Sequence, residues 1–400
     1  MPEAVIVSTA RSPIGRAMKG SLVECRPDDL AATIVTAALD KVPQLDPQSV
    51  DDLMMGCGQP AGESGFNVAR VAGILAGMHD VPGVTVNRYC SSSLQTIRMA
   101  AHAIKAGEGD VFVSAGVETV SRFGNGMADD GPTNPAFADA QARTAERANG
   151  ADSWEPPDGL PDIYIAMGQT AENVRLAENV GRRAMDEFAA LSQQRAVANQ
   201  ENGYWEGEIT PVTTPSGAVV SKDDGPRPGT TVEKLAELKP VFRPDGEVTA
   251  GNACPLNDGA AAVIVMSDTK AAELGIEPLA RIVSSGVSAL NPEIMGLGPI
   301  EASRQALSRA GMTIDDIDLV EINEAFAAQV IPSARHLGIP WDKLNVKGGA
   351  IALGHPFGMT GARIMTTLLN ALEDEDKTIG LETMCVGGGQ GMAMIVERLT

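Results

Sequence analysis

The chain has 400 residues, 44% of them hydrophobic, which is enough for a sizeable core and for two or three domains. Its 31 basic and 52 acidic residues leave a net charge of -21, which opposes nucleic-acid binding through repulsion of phosphate. Five cysteines, Cys25, Cys57, Cys90, Cys254 and Cys385, are odd in number and lack close paired spacing, so neither a disulfide framework nor a zinc site is indicated and a reducing, cytoplasmic setting is expected.

The opening MPEAVIVSTARSP carries an acidic residue and a short apolar run, so it reads as a first strand rather than a signal sequence. No later run is long enough to span a bilayer. The segment Asp28–Cys57 then gives a helix, DDLAATIVTAALDKV, and a turn feeding the strand of SVDDLMMGC. Cys90 opens the helical SSLQTIRMAAHAIKAG, which leads to the strand VFVSAG. From Ser121 to Val248 the composition shifts to Gly, Pro, Asp and Asn around an amphipathic stretch, EFAALSQQRAVANQENG. That stretch is expected to be an inserted lid domain that covers a substrate. An apolar strand at Asp258–Ser267 follows.

The pattern then repeats. IEASRQALSRA and DIDLVEIN echo the first helix and strand, His355 precedes the helix TGARIMTTLLNAL and the strand IGLETMC, and GQGMAMIVER echoes Asp258–Ser267. Two similar α/β halves are expected, residues 1–120 with 249–275 forming one, 276–400 the other, and 121–248 the insertion.

Four short segments carry chemistry: NRYCSS at Asn87–Ser92, NEAF at Asn323–Phe326, GHP at Gly354–Pro356 and CVG at Cys385–Gly387. They supply two thiols, an imidazole and an amide, a sufficient set for making and breaking a carbon–carbon bond beside a thioester. Cys90 is the nucleophile candidate, because unpaired amides at the mouth of its helix favour thiolate. Its serine neighbours, Ser91 to Ser93, weigh against the alternative of an inert buried thiol. His355, among five nearby glycines, is the candidate base and oxyanion donor, whereas His102 and His336 fall inside helices. Cys385, at a strand end before a glycine-rich bend, is the candidate acid/base. Asn323 can hold a water on a thioester oxygen, with helix capping as its other reading, and Glu324 is a candidate orienting group. Two cysteines and one histidine without a carboxylate at zinc spacing indicate no metal.

On these residues the whole chain, roughly Glu3 to Arg398, resembles the thiolase family of acyl-CoA:acetyl-CoA acyltransferases. The resemblance implies a five-layered α-β-α-β-α fold from two βαβαβαββ halves with an inserted loop domain. It implies acylation of Cys90, activation by His355, proton transfer at the acetyl alpha carbon by Cys385, and a water on Asn323. One oxyanion hole would join that water to His355, the other the amides of Cys90 and Gly387. Arg227 resembles the family's basic contact to the nucleotide end of coenzyme A, and Cys254 stands where a serine usually bonds pantetheine, a bond that a thiol donates only weakly. Ala166, Met167 and Gly168, with Phe326, resemble the lining of the acyl pocket. Ala166 replaces a histidine common in acetoacetyl-specific members, which points to longer 3-ketoacyl-CoA substrates and a degradative role. The alternatives are a biosynthetic acetoacetyl-CoA thiolase and a noncatalytic CoA-binding subunit. Coenzyme A and acyl-CoA are implied as substrates, with no permanently bound cofactor, no membrane or nucleic-acid partner, and a homodimer or homotetramer.

Overall fold

A computed structural model describes residues 2–400. The amino-terminal sheet runs, in spatial order, through the strands Gly83–Val86, Asp52–Gly56, Val111–Thr119, Asn257–Ser267 and Ala4–Arg11. The carboxy-terminal sheet runs through Leu319–Ile322, Ile379–Val386, Gln390–Arg398 and Ala280–Ala289.

The two sheets have matching pairings. In each, the first strand lies antiparallel to the last, the last antiparallel to the strand that follows the central helix, and that strand parallel to the next. Even the edge strand Gly83–Val86 has a counterpart, a parallel bridge from Leu344 to Val320. The sheets join edge to edge where Val5 and Ile6 pair antiparallel with Arg281 and Ala280.

Burial sorts these elements into layers. Helix Pro27–Asp40 buries Leu30, Ile34 and Val35 against the outer face of the amino-terminal sheet, where Val5, Val7, Leu53, Met55, Val113 and Ile264 point. Helices Gly298–Ala310 and Ala327–Leu337 cover the outer face of the other sheet at Val320, Ile322, Leu381 and Ile395. Alternate residues of the same strands, among them Ile6, Met54, Val265, Met384 and Met394, face inward. Between the sheets lie helices Ser92–Ala106 and Thr360–Asp374, burying Leu94, Ile97 and Ile104 on one and Ile364, Met365, Leu368 and Leu372 on the other. The order is helix, sheet, helix, sheet, helix, five layers in all.

The helices Met167–Ala177 and Arg182–Glu201, within the stretch between the halves, dock on the carboxy-terminal half. Ala171, Met185, Phe188 and Ala189 share one buried cluster with Phe326, Ala327 and Val330. Among the described residues no helix is long and apolar enough to cross a membrane, and no group of His, Cys, Asp or Glu could hold a metal ion.

Candidate active site

The two central helices start at the same place. Gly361 packs so closely that a methyl group there would lie 2.3 Å from the Leu94 backbone nitrogen, and Ala362 N donates to Ser93 Oγ at 2.9 Å. The residues ahead of each helix, Cys90 and His355, are therefore carried to one region by duplicated elements of the two halves.

Cys90 sits in the 3-10 turn Tyr89–Ser91 that leads into its helix. Tyr89 has φ 43°, a left-handed conformation costing about 1–2 kcal/mol outside glycine. Local bonds hold it: Tyr89 N donates to Asn87 Oδ1, Ser92 Oγ donates to the Tyr89 carbonyl, and Arg88 N donates to Ser92 Oγ. The Cys90 thiol is nearly buried, and burial pushes it up to about 11, against the pull of the backbone amides of Gly387 and Cys90 itself. The sequence expectation that the helix mouth favours thiolate is thus reversed in the free site, because desolvation of the anion outweighs its amide partners.

His355 is held at three points. Its backbone N donates to Asn257 Oδ1 at 3.0 Å, while Asn257 Nδ2 donates to the Gly15 carbonyl. Gly354, at φ 119°, has no room for a side chain, because a Cβ would meet the Asn257 amide at 2.5 Å. The ring lies 2.6 Å from Thr360 Oγ1 through Nδ1 and 3.3 Å from Asn323 Nδ2 through Nε2. Thr360 has one hydroxyl proton, which it donates to the Pro356 carbonyl at 2.7 Å. It must therefore accept at Nδ1, so the ring carries its proton on Nδ1 and offers a lone pair at Nε2. Burial, helped by Arg363, pushes the imidazole down to about 3, so it rests neutral. Among the described residues the ring makes no hydrogen bond to Cys90.

Asn323 leaves the strand Leu319–Ile322 beside Thr383, to whose carbonyl its N–H donates. Cys385 lies two positions further along that neighbouring strand, fully buried. The Asn323 carbonyl accepts from Gln329, but Asn323 Oδ1 is buried with no partner among the described residues, a donor-seeking atom beside the imidazole. Helix capping is not its task, since Phe326 begins the next helix. Glu324 accepts from Ser192, Asn345 and the Ile351 amide, fixing this loop to the glycine-rich segment ahead of His355.

Burial pushes the Cys385 thiol up, and the nearby thiols of Cys90 and Cys254 add to the shift. Burial pushes the Cys254 thiol up as well, with Cys90 and Glu324 adding to the shift, so three thiols share one neighbourhood. Beyond Cys385 the chain turns through Gly388 and Gly389, at φ 77° and 76°, which leaves the Gly387 amide facing Cys90.

Phe326 and Phe242 meet edge to face at 6.1 Å, and Gly168 admits the Phe242 ring where a Cβ would lie 2.1 Å from it. Met167 and Cys254 pack against the same cluster. Ala166, one residue before this helix, is exposed. Arg227 is also exposed, forms no ion pair among the described residues, and has Arg16 as its charged neighbour.

Sequence reasoning missed Asn257, Thr360, Glu118 and Asn345. Glu118 accepts from the amides of Gly58, Gln59 and Gly358, tying the loop after His355 to the opposite half. Thr360 alone left a readable signal, a hydroxyl five residues after His355 at the start of the same helix.

Residues 4–269 match the model of the thiolase amino-terminal domain, and residues 276–398 that of the thiolase carboxy-terminal domain. The chain is 43% identical to the 3-ketoacyl-CoA thiolase of Saccharophagus degradans, over 99% of this chain and 98% of that protein. It is also 43% identical to a beta-ketoadipyl-CoA thiolase of Acinetobacter baylyi, over the full length of both. Its fold matches the dimeric peroxisomal thiolase of Saccharomyces cerevisiae with a TM-score of 0.90 and 34% identity, covering 100% of this chain and 98% of that one. With both domain models matched and relatives aligned end to end, the chain belongs to the thiolase family.

Proposed function

We propose that the protein cleaves 3-ketoacyl-CoA by thiolysis, releasing acetyl-CoA and an acyl-CoA shortened by that unit, and catalyses the reverse condensation. The observation that carries this reading is that Cys90 and His355 stand ahead of central helices whose first turns touch, with Asn323 Nδ2 3.3 Å from His355 Nε2 and the Cys90 thiol acting on Cys385.

In this reading the Cys90 sulfur attacks the 3-keto carbon while Nε2 of His355 takes the thiol proton. Both groups rest neutral, so charge forms only as the substrate bond forms, inside a buried site where fixed donors act strongly. Breaking the bond between carbons 2 and 3 leaves the acyl group on Cys90 and an enolate of acetyl-CoA. Cys385 protonates that enolate at carbon 2. The incoming coenzyme A then gives its thiol proton to Cys385, attacks the acyl carbon and displaces Cys90, which recovers its proton from His355. The free Oδ1 of Asn323 supports the role of holding a water near the thioester oxygen, and the amides of Gly387 and Cys90 support an oxyanion hole at the acylated sulfur.

The exposed Arg227, in no ion pair among the described residues and with Arg16 as its charged neighbour, suits the phosphates of coenzyme A on this acidic chain. Cys254 fits a place along the pantetheine arm, and Met167, Gly168 and Phe326 a place along the acyl chain, with residues 121–248 as the domain covering both. Ala166, with its methyl exposed, gives little support to a pocket lengthened at that position. The open edge strand Gly83–Val86 and the 96% exposed Phe66 support a homodimer built across that edge.

Intact-protein mass spectrometry after exposure to a 3-ketoacyl-CoA tests the covalent step. An acyl adduct on Cys90, absent in Cys90→Ala, is expected. An adduct confined to Cys385 would exchange the two roles, and none under turnover would overturn the mechanism.

A further inference from the structure

On a chain of net charge -21, three cations, Arg98, Lys105 and Arg309, gather with the imidazole of His102 in one cavity without an acid among its lining residues. The cavity, about 310 Å³, lies between helix Ser92–Ala106, strand Ala280–Ala289 and the end of helix Gly298–Ala310. Arg98, His102 and Lys105 enter it from the first helix and Arg309 from the last. None of the four belongs to an ion pair among the described residues. Lys105 and Arg309 stand in final helical turns, where the helix dipole favours a cation, but Arg98 and His102 have no such reason to be there.

The cluster is also oriented. Arg98 Nε donates to Ser285 Oγ at 3.2 Å and Arg309 donates to the Ser285 carbonyl, so one residue of the strand aims both guanidinium groups at a common space. The charged groups that act on His102 are Arg98, Lys105 and Arg309, each of which opposes its protonation, and those on Arg98 are Arg88 and Arg309. Like charges at this spacing repel one another, and an anion between them would relieve the repulsion at every member. Paired guanidinium groups present forked donors that match phosphate oxygens. Met394 and Ile282 supply an apolar floor for an uncharged remainder.

We propose that Arg98, His102, Lys105 and Arg309 form a binding site for a phosphate ester of at least two negative charges, separate from the reaction centre. Along the helix axis Arg98 is eight residues past Cys90 and Lys105 fifteen, roughly 12 and 22 Å at 1.5 Å per residue. None of the four is among the residues proposed to bind coenzyme A or to act on its thioester.

Calorimetric titration of the full-length, assembled protein with inorganic pyrophosphate tests this. Saturable binding is expected at low ionic strength, weakened about tenfold or more in the Arg98→Gln/Arg309→Gln variant, since each charge-assisted hydrogen bond accounts for about that factor. Lys105→Gln, which changes an exposed side chain, should weaken it by a smaller factor, and thiolysis kcat/KM should stay as in the wild type for both. Absence of saturable binding at millimolar pyrophosphate would overturn the proposal. So would equal binding by the wild type and a folded double variant, because the anion would then be held elsewhere.

Discussion

Ser93 Oγ accepts the backbone N–H of Ala362 at 2.9 Å, so the first turn of one half's central helix caps the first turn of the other's. This contact and the close approach of Gly361 to Leu94 set the distance between the residues ahead of the two helices. Replacing Gly361 by Ala should gain about 1 kcal/mol of helix propensity. The added methyl, however, would lie 2.3 Å from a backbone nitrogen and 2.6 Å from Leu94 Cβ, so whole helices must separate. An overpacking cost of about 3 kcal/mol outweighs the gain. Gly361→Ala is expected to lower the urea midpoint and to reduce kcat more than it raises KM. A variant with unchanged kcat would show that the helix spacing does not govern the site.

The tautomer of His355 rests on Thr360, whose only proton already goes to Pro356. Thr360→Val keeps the shape and removes the acceptor, leaving the Nδ1 proton unpaired in a buried site or shifting it to Nε2. Loss of one such bond costs about 1–3 kcal/mol, roughly 5- to 150-fold in kcat. Thr360→Ser restores the hydroxyl and should recover most of the rate. Equal kcat values for the two variants in steady-state assays would remove Thr360 from this role.

Cys385 is assigned the proton at carbon 2, and Cys90 the acyl group. Cys385→Ala should therefore still accept an acetyl group on Cys90 from acetyl-CoA, seen as an adduct by mass spectrometry. It should lose hydrogen–deuterium exchange at the acetyl methyl, with a fall of about 100-fold or more, as expected for an absent general acid/base. Exchange at the wild-type rate would place that proton transfer on another group.

The duplicated frame was legible because each helix–strand unit carries its own hydrophobic period, and the two series run in the same order. Helices read from DDLAATIVTAALDKV and TGARIMTTLLNAL appear as Pro27–Asp40 and Thr360–Asp374. The candidate groups stand out in the sequence because Cys90, His355 and Cys385 each lie near an element boundary, where side chains are free to serve chemistry. Their supports do not. Asn257 reaches His355 across 98 residues and Glu118 reaches Gly358 across 240, bonds that no local pattern encodes. The protonation of Cys90 was misjudged for a related reason, because the helix mouth is a local feature whereas burial depends on the whole assembly of layers.

The carboxy-terminal sheet carries one more unmarked feature, a carboxylate pair in direct register on neighbouring parallel strands, Glu321 and Glu382. Both are buried, and Arg363 acts on each of them, with Arg195 acting on Glu321 as well. Burial pushes Glu321 up to about 8, with Glu324 and Glu208 adding repulsion and Arg363 and Arg195 opposing it. For a carboxyl raised in the folded state, the unfolded chain releases its proton first as pH rises. The stability that the protonated form contributes is then complete below the unfolded value near 4.5 and is lost as pH climbs through about 8. Unfolding free energy should therefore fall across this window, with Glu321 accounting for up to roughly 3–5 kcal/mol. Glu321→Gln keeps the neutral shape and removes the titration, so urea unfolding at pH 5 and pH 8 should show a smaller difference in the variant than in the wild type. An identical difference in both would place the titration on other buried carboxylates and leave Glu321 protonated, or paired with Arg363, throughout.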